Sequence, residues 1–134
     1  MTDRELLEIA VQARENSYAP YSDFHVGAAL VGKSGKVYTG CNVENAGYTP
    51  TNCAERTALF KAVSEGEREF TAIAVVGGKG EGLAEFCAPC GVCRQALAEF
   101  CEGNFRVILG TPDHVRVYTL AELLPFSFGK HDLN

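Results

Sequence analysis

Residues 53–76, CAERTALFKAVSEGEREFTAIAVV, hold a helix and a strand in close succession. Across Cys53–Glu65 the alanines, Leu59, Phe60 and Val63 recur at helical spacing, and Gly66 stands where a helix ends. Thr71–Val76 is a short continuous apolar run, the kind of strand that lies in the middle of a sheet with both faces covered. Upstream, Val26–Val31 and Lys36–Cys41 are β-rich runs joined by Lys33-Ser34-Gly35, which predicts a hairpin. Further upstream, Thr2-Asp3-Arg4-Glu5 reads as a capping box. Leu6, Ile9, Ala10 and Ala13 follow it at helical spacing, so a first helix runs to about Glu15.

Asn16–Asp23, with Pro20 between two tyrosines, reads as a loop, and so does Asn42–Asn52, rich in Asn, Gly, Thr and Pro. Downstream, Gly77–Gly82 reads as a flexible loop whose glycines match no phosphate-binding fingerprint. Gly91–Cys101 reads as a helix, Arg106–Leu109 and Val115–Tyr118 as strands, and Leu120–Leu124 as a short helix. Five strands with interleaved helices predict an α/β fold, a three-layer α/β/α sandwich around a mixed five-stranded sheet. The strand order does not follow from this pattern. No repeat or linker divides the chain, so residues 1–134 read as one domain.

Composition narrows the partners. A net charge of −5 offers no basic surface for a phosphate backbone and points to a small, neutral substrate rather than a nucleic acid. The N-terminal stretch lacks the apolar core of a signal peptide, and no apolar run has the length to cross a bilayer. The expectation is a cytoplasmic protein without a membrane partner, in a compartment that keeps thiols reduced. There the six cysteines, Cys41, Cys53, Cys87, Cys90, Cys93 and Cys101, point to metal or catalysis rather than disulfides.

Two groups concentrate the chemistry: Cys53-Ala54-Glu55 and Pro89-Cys90-Gly91-Val92-Cys93, each opening a predicted helix. Cys90 and Cys93 in a C-x-x-C turn can reach one metal, and Cys53 can supply a third thiolate from the other helix. Catalytic zinc takes three protein ligands and keeps a fourth position open, and a helix N-terminus favours the thiolate form. Glu55, two residues after a ligand, can lean over the metal without binding it and act as a general acid–base. Arg56 and Arg94, each beside a proposed catalytic or ligand residue, can offset the negative charge of three thiolates.

The cysteines alone leave other readings open. Cys87, three residues before Cys90, could complete a closed four-thiolate structural site. Pro89 bends the chain between them and makes a shared metal harder. The start of a ferredoxin-type run needs a further cysteine where Leu97 stands. A redox pair at Cys90 and Cys93 leaves Cys53 and Glu55 unexplained. Cys41 and Cys101 read as ordinary buried residues, and His25, His114 and His131 have no ligand spacing with the cysteines.

The spacing of Cys53, Glu55, Pro89, Cys90 and Cys93 matches the signature of zinc nucleobase deaminases. The wider chain resembles the small, homotetrameric cytidine deaminases. The likeness runs through Ala19-Pro20-Tyr21-Ser22, Val26-Gly27-Ala28-Ala29, Asn42-Val43-Glu44-Asn45-Ala46, Cys53-Ala54-Glu55-Arg56-Thr57-Ala58, Pro89-Cys90-Gly91-Val92-Cys93-Arg94-Gln95, Glu122-Leu123-Leu124-Pro125 and Phe128-Gly129.

This resemblance implies hydrolytic deamination of cytidine and 2′-deoxycytidine to uridine and 2′-deoxyuridine, with ammonia released. It implies one zinc per subunit on Cys53, Cys90 and Cys93. Glu55 shuttles protons between the water, ring N3 and the departing amine. Backbone groups near Ala54 and Ala88 bind the base edge, and Phe24 packs on the base. Asn42 and Glu44 bind the ribose hydroxyls, with Glu44 also repelling a 5′-phosphate. Ala46 and Tyr48 reach into an adjacent subunit's site, and Phe128 comes from a neighbour. Cys87 matches none of the family's roles. Deamination of a cytosine-containing antibiotic such as blasticidin S, and a non-catalytic zinc protein on the same fold, are the alternatives. The Asn42–Glu44 pair and an intact Glu55 weigh against them.

Overall fold

Residues 1–133 are described by a computed structural model; Asn134, the last residue of the domain read from the sequence, lies outside them. The strands are β1 (Phe24–Gly32), β2 (Val37–Cys41), β3 (Phe70–Lys79), β4 (Arg106–Thr111) and β5 (His114–Thr119). They form one sheet in the order β2-β1-β3-β4-β5, with β3 and β4 parallel and the other neighbours antiparallel. The helices are α1 (Asp3–Ala13), α2 (Ala54–Ser64), α3 (Gly91–Phe100) and α4 (Leu120–Leu123). The fold is the α/β three-layer sandwich on a mixed five-stranded sheet that the residue pattern predicts.

Strand alternation sets the layers. Ala28, Leu30, Ile73, Val75, Val107 and Leu109 face one side, where Ala54, Ala58, Leu59 and Ala62 of α2, Leu97 of α3 and Leu120 of α4 cover them. Ala29, Ala72, Ala74, Val76 and Ile108 face the other side and meet Leu6, Leu7 and Ala10 of α1. Two covered faces explain why β3 reads as an unbroken apolar run rather than an alternating one. Leu7, Leu30, Leu59 and Ile73 are wholly buried, each contributing about 1.5–3 kcal/mol. The capping box opens α1: Glu5 N–H donates to Thr2 Oγ1 (3.1 Å) and Thr2 N–H to Glu5 Oε1 (2.9 Å).

The predicted loop at Gly77–Gly82 is corrected. β3 continues to Lys79, so Gly77 and Gly78 are buried strand residues. The reason is close approach: a Cβ on Gly77 would stand 2.6 Å from Cys87 Sγ and 3.0 Å from Phe24 Cε2. A glycine run has no side-chain pattern to declare a strand, and what packs over it decides its place.

Gly40 shows the same device where it bears on the site. A Cβ there would lie 2.4 Å from Ala54 O and 2.5 Å from Ala58 N, so α2 rests its backbone directly on β2. Gly40→Ala therefore pushes out the helix whose first turn carries Glu55, and overpacking of this kind costs about 1–3 kcal/mol. A fall of several degrees in Tm is expected by calorimetry; an unchanged Tm would show that α2 can slide without cost.

Candidate active site

Cys53 and Cys90 are the N-cap residues of α2 and α3, and neither makes a side-chain capping hydrogen bond. Their thiols are thus turned away from the helix and toward each other. Cys53 Sγ and Cys90 Sγ are 3.6 Å apart, Cys90 Sγ and Cys93 Sγ 3.5 Å. All three sulfurs lie within 4.8 Å of one another, and among the described residues they form the one such cluster. Zinc–sulfur bonds of about 2.3 Å in a tetrahedron put sulfurs about 3.8 Å apart, so the triangle fits one face of a zinc site with the fourth position open. Cys87 is outside the cluster, its Sγ seated over Gly77, and burial pushes its thiol up to about 11.

Glu55, in the first turn of α2, is 4% exposed. Burial pushes its carboxyl up to about 7. Arg56 Nη2 donates to Cys53 Sγ at 3.4 Å, while its Nε is buried with no acceptor among the described residues. A cation held this way is costly beside neutral thiols and compensated beside thiolates, which suits a metal-binding set. Among the chain's own groups, hydrogen bonding from Cys93, with Arg56 and Cys90 adding to it, brings the Cys53 thiol down to about 5. Cys93, wholly buried, is raised as the partner that donates to Cys53.

Arg94 directs its guanidinium elsewhere. Nε donates to Pro89 O (2.7 Å) and Nη1 to Leu123 O (2.6 Å), so it ties the ligand loop to the end of α4. Of the two arginines paired in the sequence reading, Arg56 is the one hydrogen-bonded to a ligand sulfur.

The remaining residues fall into two groups. Asn42 is 8% exposed; its Nδ2 donates to Phe24 O (2.8 Å) and its Oδ1 accepts from Val26 N–H (2.9 Å). Glu44 Oε1 accepts from Tyr21 N–H (3.0 Å) and Ser22 N–H (3.1 Å), and its Oε2 takes the Ser22 hydroxyl. These bonds, led by that hydroxyl, hold the Glu44 carboxyl below its usual range. Ser22 Oγ also accepts from Phe24 N–H at 3.0 Å. Asn42 and Glu44 thus brace the segment that presents Phe24, whose ring lies beside Gly77 and so next to Cys87. Ala46, Tyr48 and Phe128 are all exposed, Tyr48 at 91% and Phe128 at 60%; Gln95 Nε2 donates to Phe128 O at 2.8 Å.

Two residues of this neighbourhood escape the sequence reading. Ser22 is hidden because a loop serine is ordinary. Arg14 is buried at the end of α1, and its signal was available: it falls four residues after Ala10, on the helix's apolar face.

Residues 1–111 match the model of the cytidine and deoxycytidylate deaminase zinc-binding region. The chain is 50% identical to a cytidine deaminase of Sporosarcina psychrophila, over 100% of this chain and 96% of that one. It is 51% identical to a cytidine deaminase of Halalkalibacterium halodurans, over 98% of each. The fold superposes with a TM-score of 0.87 on the crystal structure of cytidine deaminase from Burkholderia pseudomallei, 51% identical, covering 96% of this chain and all of that one.

Proposed function

The chain belongs to the cytidine and deoxycytidylate deaminase family, and from that premise we propose how its residues divide the work of deaminating cytidine with a zinc cofactor. The observation that carries the reading is a buried carboxylate, Glu55, in the first turn of the helix that Cys53 caps and beside a triangle of three sulfurs. Cys53, Cys90 and Cys93 hold zinc, which, when bound, acts as a Lewis acid that makes water nucleophilic near neutral pH. Glu55 takes a proton from the water whose oxygen bonds C4 and gives it to ring N3, then takes the remaining proton of that oxygen and gives it to the amine, which leaves C4 as ammonia. Its environment holds the carboxyl near 7, where it can both take and return a proton.

Phe24 packs on the base, and backbone groups at Ala54 and Ala88 read its edge. Asn42 and Glu44 bind the ribose hydroxyls with the acceptor and donor capacity their bonds to β1 and the 21–22 loop leave free. Arg56 balances the thiolate charge, and Arg94 positions the ligand loop through its two carbonyl contacts. The substrates are cytidine and 2′-deoxycytidine as free nucleosides, a reaction of pyrimidine salvage in the cytoplasm. Assembly is a homotetramer in which Ala46, Tyr48 and Phe128 complete neighbouring sites; side chains as exposed as Tyr48 and Phe126, at 91% and 105%, support it.

The test is turnover of cytidine, 2′-deoxycytidine and cytidine 5′-monophosphate by the zinc-loaded protein, with its mass measured by sedimentation. Both nucleosides are expected to react, and the monophosphate about 100-fold less well, since a phosphate set against Glu44 costs a few kcal/mol. Equal turnover of the monophosphate would overturn Glu44's role, and a fully active monomer would remove the shared sites. Blasticidin S turned over in place of the nucleosides would move the substrate reading to the antibiotic.

A further inference from the structure

Arg14 is 8% exposed, yet among the described residues no carboxylate lies within ion-pair distance of it. Its guanidinium instead makes five hydrogen bonds to backbone carbonyls. Nε donates to His25 O (3.0 Å) and Nη1 to Glu81 O (3.2 Å). Nη2 donates to Gly78 O (2.9 Å), Gly80 O (3.0 Å) and Gly82 O (2.9 Å). A buried cation compensated by carbonyl dipoles alone is an expensive way to gain stability, and such groups are kept where they specify a geometry.

The acceptors belong to two segments. One is the start of β1, immediately after Phe24. The other is the end of β3 and the turn behind it, which leads into the stretch carrying Cys87, Ala88 and the ligand Cys90. The two are already neighbours in the sheet, His25 opposite Gly78 and Val26 opposite Gly77, and Gly80 N–H donates across to Asp23 O (2.9 Å); Ala84 N–H donates to Gly77 O (2.8 Å) within the second segment and closes the turn. Gly77 lies beneath both the Phe24 ring and Cys87 Sγ. A second line leaves Arg14 through its own carbonyl, which accepts the Ser17 hydroxyl at 2.6 Å. Ser17 Oγ stands 2.6 Å from His25 Nδ1, and His25 Nε2 3.0 Å from Asp23 Oδ1. Asp23, directly before Phe24, has a left-handed backbone (φ 57°) that an unbraced aspartate seldom keeps.

We propose that Arg14 is a positioning residue for the deamination: from behind the site it cross-braces the Phe24 segment and the 78–82 turn, and so fixes the distance between the aromatic wall of the base pocket and the chain that carries its edge-reading groups. The proposal rests on the reading of Phe24 and Ala88 as base contacts. Beyond the strand pairing, the planar fork holds the 80–82 turn against the start of β1 through fixed donors on Nε, Nη1 and Nη2; a lysine has its donors on one atom and cannot reproduce that spread.

The experiment is a double-mutant cycle on the zinc-loaded protein with cytidine as substrate, using Arg14→Lys, Phe24→Ala and both together, with zinc content measured throughout. Arg14→Lys is expected to lower kcat/KM by about 10- to 100-fold, the scale of a slight misplacement, with zinc still bound. In the Phe24→Ala background the same change should cost less than about threefold, because the group it positions is gone. A purely structural role predicts that the two losses multiply, and that result overturns the proposal. So does Arg14→Lys with wild-type kcat/KM while Phe24→Ala is impaired. Phe24→Ala with wild-type kcat/KM overturns the reading of the pocket and the inference with it. Should Arg14→Lys fail to fold, Ser17→Ala loosens the second line while keeping the buried cation, and it should show the same coupling at a smaller size.

Discussion

Glu55→Gln is expected to lower kcat for cytidine by about 10⁴-fold while zinc stays bound and the affinity for cytidine changes little. The magnitude is the upper end for one general acid–base group, about 5 kcal/mol of barrier, because the same carboxylate moves a proton twice. The substitution keeps size and burial, so the close contact of α2 with β2 through Gly40 is undisturbed. It removes the one capacity at issue, exchanging a proton near neutral pH, which burial gives this side chain by pushing its carboxyl up to about 7. Glu55→Asp keeps the acid and withdraws it by one methylene. Its expected activity lies between the two, since a proton relay tolerates little added distance. Stopped-flow and steady-state assays, paired with zinc analysis, separate the outcomes. A Glu55→Gln protein that loses zinc would make Glu55 a ligand or a support for one. A protein that keeps both zinc and most of its kcat would leave the proton transfers without a carrier.

The sulfur cluster was legible in the residues because its spacing is local. Cys53, Glu55, Cys90 and Cys93 sit within the first turn of two helices, and short spacing at a helix start determines where side chains point. The hairpin between β1 and β2, the capping box of α1 and the buried run of β3 were legible for the same reason. What was not legible depends on contacts between distant segments. Gly77 and Gly78 belong to β3 only because Cys87, Phe24 and the turn at Gly82 pack against them. Arg94 stands beside a ligand in sequence, but its guanidinium goes to carbonyls of Pro89 and Leu123. The resemblance gives Asn42 and Glu44 to the ribose hydroxyls, but nothing in their sequence shows that both are bonded to the backbone around Phe24. The sheet order, with β3 central and parallel to β4, follows from the crossover through α3 and leaves no mark in any single element.

The zinc ligands set the second large expectation. Cys53→Ser should empty the site and abolish activity, a larger loss than that of Glu55→Gln, because it removes the source of the nucleophile as well as its proton relay. A serine hydroxyl does not ionise at neutral pH, whereas the Cys53 thiol, at a helix N-terminus and hydrogen-bonded by Arg56, readily gives up its proton. With two thiolates left, the open fourth position becomes two, and affinity falls by orders of magnitude. Stability should fall with it. Zinc joins the N-termini of α2 and α3, and a ligand bound only by the folded state stabilises it by RT ln(1 + [Zn]/Kd). The expected readings are zinc dropping from about one per chain to a trace, and a Tm near that of chelator-treated wild type. Cys87→Ala is the matched control: with its sulfur over Gly77 and outside the cluster, zinc and activity should both persist. Loss of zinc from Cys87→Ala would mean a closed four-thiolate site, and a structural metal in place of a catalytic one. Retention of zinc by Cys53→Ser would mean that the sulfur triangle is not what holds it.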